Sequence, residues 1–250
     1  MTDPLTAPSI TELGKLVRSR RIHDVTPELG PDTPMFFPTP APVVHKTSQH
    51  ERDGAAANTW EIHEHSGAHV DAPFHFDAAG KTIDQVAADV LFMRPFKKFD
   101  LSPYDLQPGA PATLDQIKAA GDRAGFTVAA GDVAIVDFGY DKYLPGHPDA
   151  REPQWWGRNQ PGLSDEVCEY LAAAQVIAVA SDTSACDLAV ADGEMSAGSG
   201  HGHHFLPKGI LIIECLRGLS EVPATGLIAA LPLRLTGGTG SPLRVLLLTD

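Results

Sequence analysis

The sequence predicts an α/β fold, a mixed β-sheet with flanking helices. Two amphipathic stretches are each followed by a short apolar segment, and three more apolar runs follow between residues 210 and 248. Hydrophobic residues make up 43% of the 250 positions and charged residues 20%, a globular composition. At this length a chain buries about three-quarters of its unfolded surface and needs no disulfide staples.

Taken in order, the first 75 residues read as strand-rich, interrupted by a proline-rich loop over 26–42. A helix is expected over 113–124, where Thr113 can cap and Leu114, Ile117 and Ala120 share a face. Strand 133–138 follows it. A second loop covers 143–162, with Pro145, Pro148, Pro153 and Pro161. Ser164 then caps a helix over 165–174 whose first turn carries Asp165 and Glu166, as the helix dipole favours. Strand 176–180 follows that helix, and 210–213, 227–235 and 243–248 are also strand-like. Helix then strand, twice, implies crossover units packed on a sheet. The glycine-rich Thr236–Pro242 stretch reads as a turn between strands. Neither loop has the monotonous polarity of a free linker, so 1–250 is expected to be one domain.

Nineteen basic against 32 acidic side chains give a net charge of −13. Such a chain is a poor partner for nucleic acid, whose binding rests on phosphate neutralisation, or for an anionic membrane surface. The sequence has no apolar run long enough to span a bilayer, and MTDPLTAPSI lacks the basic-then-apolar profile of a signal peptide. Cys168, Cys186 and Cys215 are far apart and odd in number, so they suggest neither a disulfide framework nor a thiolate zinc site. A cytoplasmic protein acting on a small molecule is the expectation.

Seven of the eleven histidines fall in two short stretches: His63, His65, His69 and His75, then His201, His203 and His204. The first stretch holds Gly67 and Pro73, which disfavour a helix. Read as extended chain, His63, His65, His69, Asp71 and His75 share one parity and hence one face, while Ile62, Val70, Phe74 and Phe76 would face a core. A straight strand would separate His65 from His69 by roughly 13 Å. Ser66-Gly67 must therefore bend, which glycine permits. With that bend His65, His69 and Asp71 form an N,N,O set, the ligand class of a catalytic zinc with an open position. His75 would lie close by without ligating. A strand of solvated histidines is the plainer alternative, but scarce imidazoles repeated on one face beside an aspartate favour a metal.

In the run 209–216, Glu214 interrupts apolar residues that read as a buried strand. An ionised carboxylate there requires a partner, either a cation or an arginine such as Arg217 or Arg234. Upstream, 199–204 is either a ligand-bearing loop or a solvated glycine–histidine tip. Phe36, Phe37, Trp155 and Trp156 are loop aromatics that could wall a pocket for a flat substrate or simply anchor their loops. There is no G-x-S-x-G elbow, no P-loop and no G-x-G-x-x-G.

The segment His65-Ser66-Gly67-Ala68-His69-Val70-Asp71-Ala72-Pro73-Phe74-His75 resembles the H-x-G-T/A-H-x-D-x-P-x-H signature of the metal-dependent cyclase superfamily, which includes kynurenine formamidase and isatin hydrolase. Ile22-His23-Asp24, Gln160 to Ser164, Asp182 to Asp187, Gly209 to Glu214 and Gly238 to Pro242 are similar to further family segments, in the right order. The resemblance implies a β/β/α swivelling-domain-like architecture and a homodimer or homotetramer. It implies that His65, His69 and Asp71 bind a divalent metal, zinc first and manganese as the alternative. Glu214 becomes a further ligand and His75 the catalytic acid/base, with Asp71 bridging where two ions bind. The family's ligating histidine lies twelve residues before that glutamate, where this chain has Gly202. A one-residue shift brings in His203 or a neighbour, His201 or His204.

A divalent ion lowers the pKa of its water to about 7, and the resulting nucleophile would attack an aryl-formamide, a cyclic amide such as isatin, or a lactone. His75 would carry the proton, and His63 would orient a ligand unless it is simply a solvated strand histidine. The alternatives are a cyclase or dehydratase using the same ion, and a non-catalytic metal-binding protein.

Overall fold

The computed structural model describes residues 8–191, 194–195 and 198–250; most of the opening segment read for a signal peptide thus lies outside the described residues. Nine strands form one sheet. In chain order the described strands longer than two residues are β1 (Arg21–Asp24), β2 (Val43–Ser48), β3 (Ala57–Glu61), β4 (His69–Asp71), β5 (Phe92–Asp100) and β6 (Val133–Asp137). There follow β7 (Ala178–Ser181), β8 (Leu211–Glu214), β9 (Thr225–Ala230), β10 (Gly240–Pro242) and β11 (Val245–Thr249). The sheet order is β1-β11-β9-β5-β6-β7-β8-β4-β10, while β2 and β3 pair only with each other. The β5–β6, β6–β7 and β7–β8 pairs are parallel, and the flanking pairs are antiparallel.

The parallel centre follows from the two crossovers. Thr113 caps α2 (Leu114–Ala124) in a capping box with Gln116, and Ser164 caps α4 (Asp165–Ala173) through the Val167 N–H. A third helix, α3 (Pro153–Arg158), lies in the second proline-rich loop. α2 and α4 cover one face of the sheet, burying Ile117 and Leu171 with Phe99, Val136, Val179 and Ile212. On the other face Val70, Phe96, Ile135, Ile213, Ile228 and Leu247 form a second core. Burial on both faces explains the near-continuous apolar runs of the central strands.

Three expectations need correction. The Thr236–Pro242 stretch is not all turn, since Gly240–Pro242 form β10 at the sheet edge. The N-terminal region also holds α1 (Ile10–Arg18), with a Ser9–Glu12 capping box and no buried residue. The run 227–235 ends as a strand at Ala230, and Leu231 and Leu233 are exposed on either side of Pro232, a residue that cannot donate to a ladder.

Candidate metal centre

The site is built where β4 meets β8. In this antiparallel pair Glu214 lies opposite His69 and Ile212 opposite Asp71. Directly opposed residues share a face, so His69, Asp71 and Glu214 project together while Val70 and Ile213 enter the core between them. Gly67, with φ +60°, makes the bend that precedes β4, and its carbonyl accepts the His69 Nδ1–H at 2.8 Å. That bond leaves His69 Nε2 free, 3.4 Å from Asp71 Oδ1 and 3.3 Å from Glu214 Oε2. The bend returns His65 to the cluster, with Nδ1 2.6 Å from Asp71 Oδ1.

The second histidine stretch supplies His201, not His203. Residues Gly200–His204 form one π-type turn, in which the Asp187 carboxylate accepts both the His201 N–H and, at 2.8 Å, its Nδ1–H. His201 Nε2 then stands 3.4 Å from Asp71 Oδ2 and 3.3 Å from Glu214 Oε1. His203 is exposed, and His204 bonds Asp165. The expectation of His203 is therefore corrected: the turn aims His201 inward, thirteen positions before Glu214, and carries His203 outside.

Asp71 thus faces His65 and His69 with one oxygen and His201 with the other, and Glu214 spans His69 and His201. Sets of donor atoms close enough to hold an ion comprise His69, Asp71 and Glu214, and His65, Asp71 and His75. A third comprises Cys186, Asp187 and His201. Neither Arg217 nor Arg234 lines this cavity; Glu214 finds imidazoles and the Cys186 N–H instead. Burial opposes the charge on Asp71, yet His65, His201 and His69 hold it well below the usual carboxylate range. Burial likewise opposes protonation of His69, while Asp71, Cys215 and Glu214 hold it well above the usual imidazole value. Buried carboxylates ringed by imidazoles are the chemistry a divalent cation satisfies, so the donor set fits a metal.

His75 sits on the short Pro73–His75 helix, its ring stacked on His65 with centroids 4.0 Å apart. Loss of water pushes its imidazole down to about 4; Asp71 opposes the shift, and His65 and His201 add to it. The cluster forms the floor of a cavity of about 440 Å³ walled by Phe36, Pro38, Phe76, Ala185 and Ala189, with His63 and Ser184 also lining it.

Not every residue singled out in the sequence comes here. Phe37 lines a neighbouring groove and stacks under Arg158. Trp156 is buried against Tyr140, and Trp155 packs on Tyr143. They anchor the loop rather than wall the cavity. Phe76, expected to face a core, is instead 43% exposed and walls the pocket, because β4 ends at Asp71 and Pro73 begins a tight turn. Asp187, Ser184 and Thr239 also contact the site; the resemblance marked their segments, but the sequence assigned none of the three a role.

The Cyclase family model matches residues 23–188. An isatin hydrolase from Roseibium aggregatum is 30% identical over 258 residues, covering 96% of this chain and 97% of that protein. Among solved structures, an isatin hydrolase bound to the product analogue thioisatinate superposes with a TM-score of 0.81 at 27% identity, covering 96% of this chain and 97% of the other. Isatin hydrolase A from Ralstonia solanacearum gives 0.81 at 24% identity over 99% and 100% of the two chains, a likeness of fold.

Proposed function

Because this chain belongs to the cyclase family, we propose that it is a metal-dependent hydrolase that opens a cyclic amide, with a flat, isatin-like ring as the substrate class. The observation that carries this is the convergence of His65, His69, Asp71, His201 and Glu214 at the floor of a mostly apolar cavity, with His75 beside them. His65, His69, Asp71 and Glu214 would hold the ion, with His201 as the fifth donor. Imidazoles with a carboxylate suit zinc, and the added carboxylate admits manganese. When bound, a divalent ion there polarises a carbonyl and acidifies water.

The chain's own residues do the rest. Phe36 and Phe76 hold a planar ring over the cluster and keep bulk water out. Among the described residues the His75 side chain makes ring contacts, with His65 and Phe76, and its imidazole would take a proton from the attacking water and return it to the leaving nitrogen. The Asp187 carboxylate and the Gly67 carbonyl fix the tautomers of His201 and His69, aiming both Nε2 atoms inward.

The chain is read as one domain, assembled as a homodimer through the uncovered faces of α1 and the β2–β3 hairpin. A cytoplasmic location accords with three buried cysteines, all unpaired. No helix among the described residues is long and apolar enough to cross a membrane. The test is direct. Purified protein is assayed for bound metal, then offered isatin, an aryl formamide and a lactone with and without chelator. Chelator-sensitive opening of isatin is expected; turnover surviving complete metal removal overturns the reading.

A further inference from the structure

All three imidazoles of the cluster have one nitrogen turned inward and one turned away. His69 and His201 have their outer nitrogens held by the Gly67 carbonyl and the Asp187 carboxylate. The outer nitrogen of His65, Nε2, meets a neutral hydroxyl instead: Thr239 Oγ1, at 2.9 Å. A hydroxyl can donate or accept, so alone it would leave the His65 tautomer open.

Glu64 removes that freedom. Its Oε2 accepts the Thr239 N–H at 2.8 Å and the Thr239 O–H at 2.6 Å, the length of a charge-assisted bond. A threonine has one hydroxyl proton, and here it is committed to Glu64. Towards His65, Oγ1 can therefore only accept, and Nε2 must carry the proton. Nδ1 is left with its lone pair, 2.6 Å from Asp71 Oδ1. Two acceptors at that separation repel unless a cation or a proton lies between them.

The backbone holds this relay in place. The Thr239 carbonyl accepts from the Ala72 N–H at 2.9 Å, and Gly240 pairs with Asp71 across β10 and β4. A Cβ on Gly240 would stand 2.8 Å from His65 Cε1 and 2.7 Å from the Val70 carbonyl oxygen, so only glycine lets this strand press against the ring.

We propose that Glu64 and Thr239 are positioning residues that fix His65 in its Nε2–H tautomer and thereby present Nδ1 to a divalent cation. The proposal rests on the reading of His65 as a metal ligand. It assigns to the segment that leads into β10 a task in the site rather than a merely connecting one.

The test is zinc affinity of the full-length protein, measured on metal-stripped samples by competition with a chromophoric chelator. Thr239→Val removes the hydroxyl at nearly constant shape, and Glu64→Ala removes the acceptor from a half-buried position where folding is not at stake. Each is expected to weaken zinc binding about 10- to 100-fold while leaving the melting temperature of the stripped protein unchanged. Thr239→Ser, which keeps the hydroxyl, is expected to recover most of the affinity. Histidine ¹⁵N spectra of the zinc-loaded wild type should show His65 protonated at Nε2, with that signal losing its hydrogen-bonded shift in Thr239→Val. Wild-type zinc affinity in both Thr239→Val and Glu64→Ala would overturn the relay alone. Failure of the wild type to bind zinc or manganese would overturn both the relay and the hydrolase reading.

Discussion

Glu214 stands directly across the β8–β4 ladder from His69, and its Oε2 lies 3.3 Å from His69 Nε2. Two adjacent strands thus deliver a carboxylate and an imidazole to one point, from backbone positions that the sheet register fixes. A site held this way is preorganised: the chain has already placed the donors before an ion arrives.

Metal occupancy should therefore register as stability. An ion that binds only the folded chain adds about 2.7 kcal/mol at a hundred times its dissociation constant. Adding zinc to stripped protein is expected to raise the melting temperature. Glu214→Ala should abolish most of that rise while leaving the stripped protein folded. Because ligands must shed protons to bind, the rise should shrink as pH falls below neutral. Scanning calorimetry across a pH series checks this, and a zinc-independent melting temperature in the wild type would contradict it.

His75 divides binding from chemistry. Its ring stacks on His65 and completes one donor set only with residues already held elsewhere, so His75→Ala should retain the ion. Loss of a positioned proton carrier is expected to lower kcat by about 10²- to 10⁴-fold. Metal content by atomic spectroscopy and steady-state kinetics on isatin separate the two effects. A variant that loses both metal and rate would make His75 a ligand rather than an acid/base.

How far this site was legible in the sequence depended on whether its residues lie close along the chain. His65, His69 and Asp71 sit on one seven-residue segment, so parity and a glycine bend sufficed to bring them together. Glu214 announced itself as the acid in an apolar run. The parity argument held for Val70 alone: Ile62 lies exposed before the bend, and beyond Asp71 Pro73 ends the extended chain and turns Phe74 and Phe76 outward. The choice among His201, His203 and His204 required the π-type turn, which leaves no periodic mark, and the Asp187 carboxylate that pins His201. Thr239 and Glu64 meet across 175 residues of chain, a contact that only the sheet creates. The helix α1 does carry a local mark, the capping-box spacing of Ser9 and Glu12.

The sheet interior holds a second charged group that makes a separate prediction. Lys98 is buried, its Nζ 3.3 Å from Asp137 Oδ2 and 2.8 Å from the Leu219 carbonyl oxygen. Burial raises the Asp137 carboxyl above its ordinary value, and Lys98 pulls against that rise. Lys98→Met would leave the carboxylate without a counter-charge, at a cost of about 3–5 kcal/mol near neutral pH. The sign with pH follows from the raised folded-state pKa. Below the ordinary carboxylate value Asp137 carries a proton in both folded and unfolded chains, and the deficit fades. As pH climbs through the raised value the deficit grows. Urea titrations at pH 3 and pH 8 measure the difference, and adding Asp137→Asn should recover most of the loss.

The surface predicts a partner. α1 buries none of its residues, leaving Ile10, Leu13 and Leu16 exposed, and the β2–β3 hairpin leaves Val43 and Trp60 exposed, with Ile62 just beyond it. A nine-residue helix and a lone two-stranded hairpin are each marginal in water without something to cover them. Residues 10–21 also carry four basic side chains and one acidic in a chain of net charge −13, so a second copy offers the complementary charge. Light scattering is expected to give twice the monomer mass, with Leu13→Glu and Trp60→Glu each shifting it towards the monomer while the core keeps its melting transition. β3 leads straight into His63 at the cavity wall, so the monomeric variants should show a raised KM with the metal still bound. A wild-type protein that runs as a monomer at micromolar concentration would remove the dimer from the account and leave the metal centre untouched.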